Sequence, residues 1–154
     1  MTQMTIPQLV KHLQLAPHPE GGWYREIHRS STQISRADGE QRCGITTVLF
    51  LLAADQVSRW HRVIGADEVW THLQGSPLSL YRLAGNDEEA ETLNLNAEQP
   101  VQVIPASQWM AARTQGPYTL VSCCVGPGFD FADFEMLANT PEQTWPQAVI
   151  RELV

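Results

Sequence analysis

The sequence predicts a single all-β domain, built as a sandwich or a barrel, with a jelly roll among the main architectures. Roughly eight to ten short segments alternate polar and apolar residues or are rich in β-branched residues, and turn residues separate them about every 8–12 positions. Helical periodicity is confined to the two ends of the chain. The 154 residues, of which 43% are hydrophobic, are enough for one domain with a substantial core, covering residues 1–154.

Short helices are predicted at the N- and C-terminal ends. Residues 5–15 place apolar side chains at positions i, i+3, i+4 and i+7, which is the pattern of an amphipathic helix. Thr5 suits the N-cap of this helix, and Pro7 suits its first turn. Residues 141–153 resemble a second short helix, which Pro146 is expected to interrupt.

The strands begin after a glycine pair at 21–22, which permits a sharp change of chain direction. Residues 23–29 then alternate as a strand that places Glu26 and His28 on one face. The polar residues 30–42 predict a hairpin turn or a loop. The remaining predicted strands are 44–53, 57–63, 67–73, 79–83, 92–95, 101–105, 109–114 and 118–125.

Side chains that could bind a metal or act as acids and bases are concentrated between Ser58 and Gly75. This stretch predicts a strand, a tight turn and a second strand. Side chains alternate along a strand, so one side of each strand would carry its polar residues toward the same surface. This arrangement predicts a metal site or an acid–base site, and the alternative is the solvated face of an ordinary hairpin. The residues expected on that surface are Arg59, His61, Glu68, Trp70 and His72.

Charge and composition exclude several functional classes. The net charge is −7 and no basic cluster occurs, which argues against nucleic acid and anionic membranes as partners. No apolar run approaches the ~20 residues that span a bilayer. The N-terminus lacks the basic and apolar regions of a signal peptide, so the sequence predicts a cytoplasmic protein.

Five stretches of the chain read HPEGGWYRE, SRWHR, DEVWTHLQG, VIPA and GPGFDFADFE, and they occupy residues 18–26, 58–62, 67–75, 103–106 and 126–135. With these stretches the chain resembles the cupin superfamily, and more narrowly the cupin 5 subfamily of small cupins of unknown function. The resemblance thus extends over nearly the whole chain. It implies a jelly-roll (double-stranded β-helix) cupin barrel, and a homodimer in which the partner covers exposed sheet edges.

The chain matches the cupin metal-binding motifs only in part. His61, Glu68 and Gly75 fit the first motif in register, whereas Val63 stands where that motif has its second histidine. Met110 stands where the second motif has a histidine. Two of the four usual metal ligands are therefore missing, and no cofactor is expected.

A divalent metal remains an alternative in which His72 completes the ligand set. Catalytic metal sites usually have about three protein ligands. His61, Glu68 and His72 are the set that the sequence leaves for such an ion.

The resemblance implies a small-molecule ligand, and a carbohydrate-like compound is the first hypothesis. Metal-free cupins related to sugar-nucleotide epimerases abstract a proton next to a carbonyl with a histidine base, which by analogy makes His61 catalytic with help from Glu68. Two alternatives stay open: a non-catalytic metabolite-binding protein and, with less support, a metal-dependent dioxygenase or isomerase. The side chains predicted to contact the ligand are Arg25, Arg59, Trp70, His72 and Tyr118.

Overall fold

The computed structural model describes residues 4–85 and 89–154, and strands dominate this part of the chain. The only α-helix among the described residues is α1 (Ile6–His12). The strands are β1 (Ala16–Pro17), β2 (Trp23–Arg29), β3 (Gln33–Ser35), β4 (Gln41–Cys43), β5 (Thr46–Ala53), β6 (Ser58–Val63), β7 (Asp67–Gly75), β8 (Leu78–Leu83), β9 (Glu91–Leu95), β10 (Val101–Ile104), β11 (Trp109–Thr114), β12 (Tyr118–Gly126) and β13 (Phe134–Met136).

Two antiparallel sheets face each other and form the barrel. One sheet has six strands in the order β1-β2-β5-β12-β7-β10, and the other has five in the order β13-β6-β11-β8-β9. A separate two-stranded ribbon, β3-β4, occupies the stretch that the sequence predicts as a hairpin or loop. The jelly-roll prediction is confirmed.

Three hydrophobic clusters hold this architecture together. The largest lies between the two sheets, where Phe50, Trp70 and Val121 are almost completely buried. A second cluster packs α1 against the outside of the six-stranded sheet through Leu9 and Leu51. The third lies under the C-terminal segment, on the outside of the five-stranded sheet. The helix and the C-terminal segment thus each cover part of the outer face of one sheet, whereas Leu73, Val101 and Val103 remain exposed on the six-stranded sheet.

The helix predictions differ in outcome at the two ends. Thr5 caps α1 as predicted, since its side chain accepts a hydrogen bond from the Gln8 backbone N–H in a capping box. The C-terminal segment contains separate single-turn 3-10 helices at Glu142–Thr144 and Arg151–Leu153 instead of one α-helix. Pro146 lies between them and lacks the N–H that a continuous helix needs. No helix among the described residues is long and apolar enough to cross a membrane.

The predicted pairing of β6 with β7 is wrong. β6 pairs with β11 and β13 in the five-stranded sheet, whereas β7 pairs with β12 and β10 in the six-stranded sheet. The two strands therefore lie in opposite sheets, although a short turn joins them. His61 and Glu68 consequently approach each other across the barrel interior and not along one hairpin surface.

The predicted face of β2 is also wrong beyond Glu26. Glu26 lies opposite Val48, and His28 lies opposite the next residue on β5, so Ile27 is an extra residue in a β-bulge. A bulge reverses the alternation of the residues that follow it. Arg29, and not His28, therefore joins Glu26 on the inner face.

Candidate functional site

The barrel encloses a cavity of about 90 Å³ between the two sheets. One part of its wall is aromatic and another part carries ionisable groups. The aromatic rings belong to Tyr24, Phe50, Phe129, Phe131 and Phe134. The ionisable side chains belong to His18, Glu20, Glu26, Arg29, His61, Glu68 and Cys123.

A tight turn at residues 18–22 brings two of these ionisable groups to the cavity. Two backbone hydrogen bonds of 3.0 and 3.1 Å close the turn. Gly21 has φ +114°, and a Cβ there would lie 2.0 Å from the Val57 carbonyl oxygen, so this position requires glycine. The Arg59 N–H donates to the Glu20 carbonyl at 2.8 Å. The turn is thus fixed against β6, with the Glu20 side chain beside His61.

Glu20 and His61 share a single proton. The His61 Nδ1 atom lies 2.7 Å from the Arg59 carbonyl oxygen, which can only accept, so Nδ1 carries a hydrogen. The other ring nitrogen, Nε2, lies 3.0 Å from Glu20 Oε2. Without a proton between them two lone pairs would face each other, so either Glu20 is a carboxylic acid or His61 is an imidazolium. Ser58 donates to the other Glu20 oxygen at 2.9 Å.

Burial places the shared proton on the carboxyl group. Glu20 is 6% exposed and His61 is 2% exposed. Burial raises the pKa of Glu20 and lowers the pKa of His61, because a low-dielectric environment disfavours both charged forms. The pair is therefore a neutral carboxylic acid that donates to a neutral imidazole.

Glu68 faces this pair from the opposite sheet. It is 7% exposed, and burial raises its pKa to about 7. The Cys123 thiol hydrogen-bonds to the Glu68 carboxyl, and burial raises the pKa of that thiol. A carboxyl group with a pKa near 7 exists in both protonation states at neutral pH, as a general acid or base requires.

Glu26 and Arg29 form the polar rim of the cavity. Arg29 donates from Nε and Nη2 to the two carboxylate oxygens of Glu26, at 2.8 and 3.1 Å. Its Nη1 atom donates to the Phe129 carbonyl at 2.9 Å. The guanidinium charge is thus neutralised by its neighbour on the same strand.

The segment that closes the cavity is anchored by a buried ion cluster. Arg42 donates to both oxygens of Asp133 at 2.8 and 2.9 Å, and Arg36 donates to the same carboxylate at 2.8 Å. Asp133 is 6% exposed and ends the 3-10 helix Phe131–Asp133. These contacts tie the β3-β4 ribbon to the helix that carries Phe131, whose ring lines the cavity and is 54% exposed.

Of the seven predicted site residues, His61 and Glu68 line the cavity. Trp70 is completely buried in the barrel core. Its ring packs edge-on against Phe50 at 5.9 Å between centroids, so it lies behind a lining residue and not at the cavity surface.

Arg25 and Arg59 lie outside the cavity. Arg25 donates to Gln14 Oε1 at 3.0 Å, on the side of β2 that faces α1. The Arg59 guanidinium donates to the backbone carbonyls of Pro19 and Glu20. Arg59 therefore supports the turn that carries Glu20.

His72 and Tyr118 belong to other parts of the molecule. His72 lies two residues after Trp70 on β7, beside a separate cavity of about 310 Å³. Its Nε2 atom is 3.2 Å from the Ser76 carbonyl oxygen. Tyr118 packs in the cluster under α1, and its hydroxyl accepts from Gln74 at 2.9 Å. The predicted convergence of His72 with His61 and Glu68 does not occur.

The cavity residues do not fit a metal ion. Val63 lines the cavity where cupins carry a histidine, and Met110 is 2% exposed in the apolar core. Among the described residues, no three His, Cys, Asp or Glu side chains are grouped so that they could hold a metal. The nitrogen of His61 that could serve as a ligand, Nε2, is occupied by Glu20.

Reasoning from sequence missed His18, Glu20 and Arg29 as site residues. The first two lie in the HPEGG stretch, where a histidine and a glutamate flank a proline before two glycines. That stretch is one of the five that resemble the family, so its two polar residues, His18 and Glu20, could have been identified as candidate site residues. Arg29 reaches the cavity because of the bulge in β2, which alternation alone does not reveal.

Two facing antiparallel sheets around such a cavity define the cupin class of double-stranded β-helix barrels. The chain belongs to the family described as Cupin superfamily (DUF985), whose model matches residues 7–137. No curated protein matches the chain at a significant level.

Solved structures similar to this chain include two proteins that are 31% identical to it. A protein from Shewanella oneidensis is 31% identical, with a TM-score of 0.81 and 98% of each chain covered. A hypothetical protein from Leishmania major is also 31% identical, with a TM-score of 0.79 and 86% of each chain covered.

More distant similarity extends to a larger protein of named function. The capsular polysaccharide assembling protein CapF from Staphylococcus aureus is 14% identical, with a TM-score of 0.62 over 80% of this chain and 33% of that chain. At this identity the similarity shows the fold alone.

Proposed function

We propose that the protein is a metal-independent acid–base enzyme that moves a proton at a carbon next to a carbonyl group, in the manner of an epimerase or isomerase. The observation that carries this proposal is the 3.0 Å contact between Glu20 and His61, which holds one proton opposite Glu68. Two acid–base groups on opposite walls of a cavity can remove a proton and return it without a metal.

Glu68 is the general base in this proposal. Its pKa of about 7 keeps a large carboxylate fraction at neutral pH. The carboxylate takes a proton from the carbon, the electron pair of the C–H bond forms a carbon–carbon double bond, and the carbonyl oxygen becomes an enolate oxygen. The protonated Glu68 then gives the proton to the former carbonyl carbon, while the hydroxyl hydrogen of the adjacent carbon passes to the enolate oxygen, so that the carbonyl group moves by one carbon and Glu68 is a carboxylate again.

His61 supports the reaction through Glu20 instead of touching the ligand. Both of its ring nitrogens are engaged, one by the Arg59 carbonyl and the other by Glu20. His61 therefore stabilises the protonated form of Glu20, and Glu20 lies on the cavity wall. This changes the role predicted from the cupin motif, in which His61 is the base itself.

The second candidate is a non-catalytic metabolite-binding protein that uses the same cavity. The observation that favours it is the aromatic wall, which supplies apolar contact area without any chemical role. A carbohydrate-like ligand is compatible with both candidates, because rings of this kind pack against the apolar faces of sugars.

Solvent deuterium exchange separates the two candidates. The purified protein is screened by thermal shift against sugars, hydroxyaldehydes, hydroxyketones, sugar phosphates and keto acids. Each compound that raises the melting temperature is then incubated with the protein in D₂O and followed by proton NMR. The enzyme proposal predicts loss of the signal from the hydrogen next to the carbonyl.

Matched variants locate the chemistry. Glu68→Gln removes the base and keeps the shape, so exchange should fall by at least about 100-fold. Glu142→Gln alters an exposed carboxylate that pairs with Arg151 outside the cavity and serves as the control. A ligand that binds tightly, exchanges no hydrogen and emerges unchanged would contradict the enzyme proposal and favour the binding protein.

A further inference from the structure

The tautomer of His18 is fixed by the turn in which it lies. The backbone N–H of Glu20 donates to His18 Nδ1 at 3.1 Å, so Nδ1 offers its lone pair and carries no hydrogen. In a neutral imidazole the hydrogen must then reside on Nε2. The 3.5 Å separation between Nδ1 and Glu20 Oε2 is proximity and not a hydrogen bond, because Nδ1 already accepts from the Glu20 N–H and the proton on Oε2 is donated to His61.

The surroundings keep His18 neutral and leave its Nε2–H for a ligand. Aromatic rings surround it, with Tyr24 at 4.5 Å, Phe134 at 5.8 Å and Phe50 at 6.1 Å between ring centroids. Burial lowers the pKa of His18, because a low-dielectric environment disfavours the imidazolium form. Within the part of the chain that the structure describes, no residue accepts a hydrogen bond from Nε2.

Among the described residues that line the cavity, the one arginine is already paired. Arg29 is paired with Glu26 through two hydrogen bonds. Glu20 and His61 share one proton and together carry no net charge. The remaining ionisable carboxyl, Glu68, adds negative charge when it ionises. The guanidinium of Arg59, whose charge acts on Glu20, donates to the backbone carbonyls of Pro19 and Glu20 and does not line the cavity. A phosphate or carboxylate group would therefore enter beside carboxyl groups without an unpaired positive partner on the cavity wall.

The size of the cavity limits the part of the ligand that enters. Its volume is about 90 Å³. Pockets for drug-sized ligands measure roughly 300–1,000 Å³. The cavity thus suits a small ligand or the small reacting end of a larger one, such as a two- or three-carbon hydroxycarbonyl unit.

We propose that the reacting end of the ligand is an uncharged hydroxycarbonyl group, and that its carbonyl oxygen accepts a hydrogen bond from Nε2 of His18. This inference rests on the proposed function. As Glu68 removes the proton from carbon, negative charge develops on that oxygen, and the Nε2–H donor stabilises it. A neutral imidazole serves this purpose in other carbonyl isomerisations in which a carboxylate is the base.

The tautomer can be tested without any ligand. In protein labelled with ¹⁵N at histidine, long-range proton–nitrogen NMR spectra distinguish a protonated from an unprotonated ring nitrogen. We expect hydrogen on Nε2 of His18 and on Nδ1 of His61 at pH 7, with signals assigned from His18→Gln and His61→Gln. A hydrogen on Nδ1 of His18 would overturn the donor assignment.

The substrate class and the role of His18 are tested by deuterium exchange into matched probes. Glycolaldehyde, glyceraldehyde and dihydroxyacetone are compared with glyceraldehyde 3-phosphate, dihydroxyacetone phosphate and pyruvate. We expect exchange with the uncharged probes. His18→Phe, which keeps a ring but removes the donor, should lower the rate by about 100-fold or more. His18→Gln, whose amide places an N–H near the Nε2 position, should recover it to within about tenfold.

The possible outcomes separate this inference from the proposed function. Equal rates in wild type and His18→Phe, together with loss in Glu68→Gln, would overturn the role of His18 and leave the proposed function in place. Exchange with the phosphates or pyruvate alone would overturn the substrate class. Exchange with none of the probes would contradict the proposed function, and the tautomer spectrum would still decide whether His18 is a donor.

Discussion

Replacing Glu68 with glutamine should change how the stability of the protein depends on pH. Glutamine has the shape of the protonated acid but cannot ionise. Glu68 is 7% exposed, and its carboxyl group prefers the protonated form in the folded protein because burial penalises the charge. The variant should therefore behave like a permanently protonated wild type.

The direction and size of the effect follow from the pKa. The folded protein holds the Glu68 proton more tightly than the unfolded chain, since the pKa rises from 4.5 to about 7. The resulting stabilisation is complete below about pH 4.5 and is lost as the pH rises through about 7. At about 1.4 kcal/mol for each pKa unit, wild type should lose about 3 kcal/mol relative to Glu68→Gln between pH 4 and pH 8.

Urea unfolding followed by tryptophan fluorescence measures this difference. Wild type, Glu68→Gln and the exposed control Glu142→Gln are unfolded at pH 4, 5, 6, 7 and 8. The free energies of unfolding of wild type and Glu68→Gln should diverge with rising pH, whereas those of wild type and Glu142→Gln should remain within about 0.5 kcal/mol. A constant difference between wild type and Glu68→Gln across this range would refute the reasoning about the buried carboxyl.

Three further predictions concern the frame of the site and its assembly. Gly21→Ala should sharply lower the free energy of unfolding, because the added Cβ would lie 2.0 Å from a backbone oxygen. The control is Gly39→Ala, whose Cβ would have no atom within 4 Å and which should cost about 1–2 kcal/mol in a chemical denaturation experiment. Asp133→Asn should lower the melting temperature more than Asp38→Asn, because Asp133 is buried between two arginines and Asp38 is exposed. The chain is predicted to form a homodimer through exposed sheet edges such as β10, and size-exclusion chromatography with light scattering tests this; a monomer at micromolar concentration would contradict it.

Local patterns in the sequence predict the strands better than their partners. The β-branched run in β5 and the alternation in β2 each identify a strand, because side-chain periodicity is a property of the segment itself. The pairing of β6 and β7 is decided elsewhere. β6 pairs with β11 and β7 pairs with β12, which places the two strands in different sheets. The short turn between β6 and β7 is compatible both with a hairpin and with strands in opposite sheets.

The candidate site is predictable where it coincides with a family motif. His61 and Glu68 match the first cupin motif and line the cavity. Glu20 and His18 are brought to the cavity by a turn that packs Gly21 against the Val57 carbonyl. This contact joins residues that are far apart in the sequence, so local patterns do not reveal it. Glu20 is the partner of His61, and His18 is proposed as a hydrogen-bond donor to the ligand. Both roles depend on distances between atoms, which cannot be read from the spacing of residues in the sequence.

The pH dependence of deuterium exchange tests the central claim, that Glu68 transfers protons in this cavity without a metal. Protein treated with a chelator is incubated with an uncharged hydroxycarbonyl probe in D₂O between pH 5 and pH 9. The account predicts an exchange rate that rises with pH to a plateau, with a midpoint near the Glu68 pKa of about 7, and that disappears in Glu68→Gln. An equal rate in Glu68→Gln, or exchange that returns only after a stoichiometric metal is added, would contradict it.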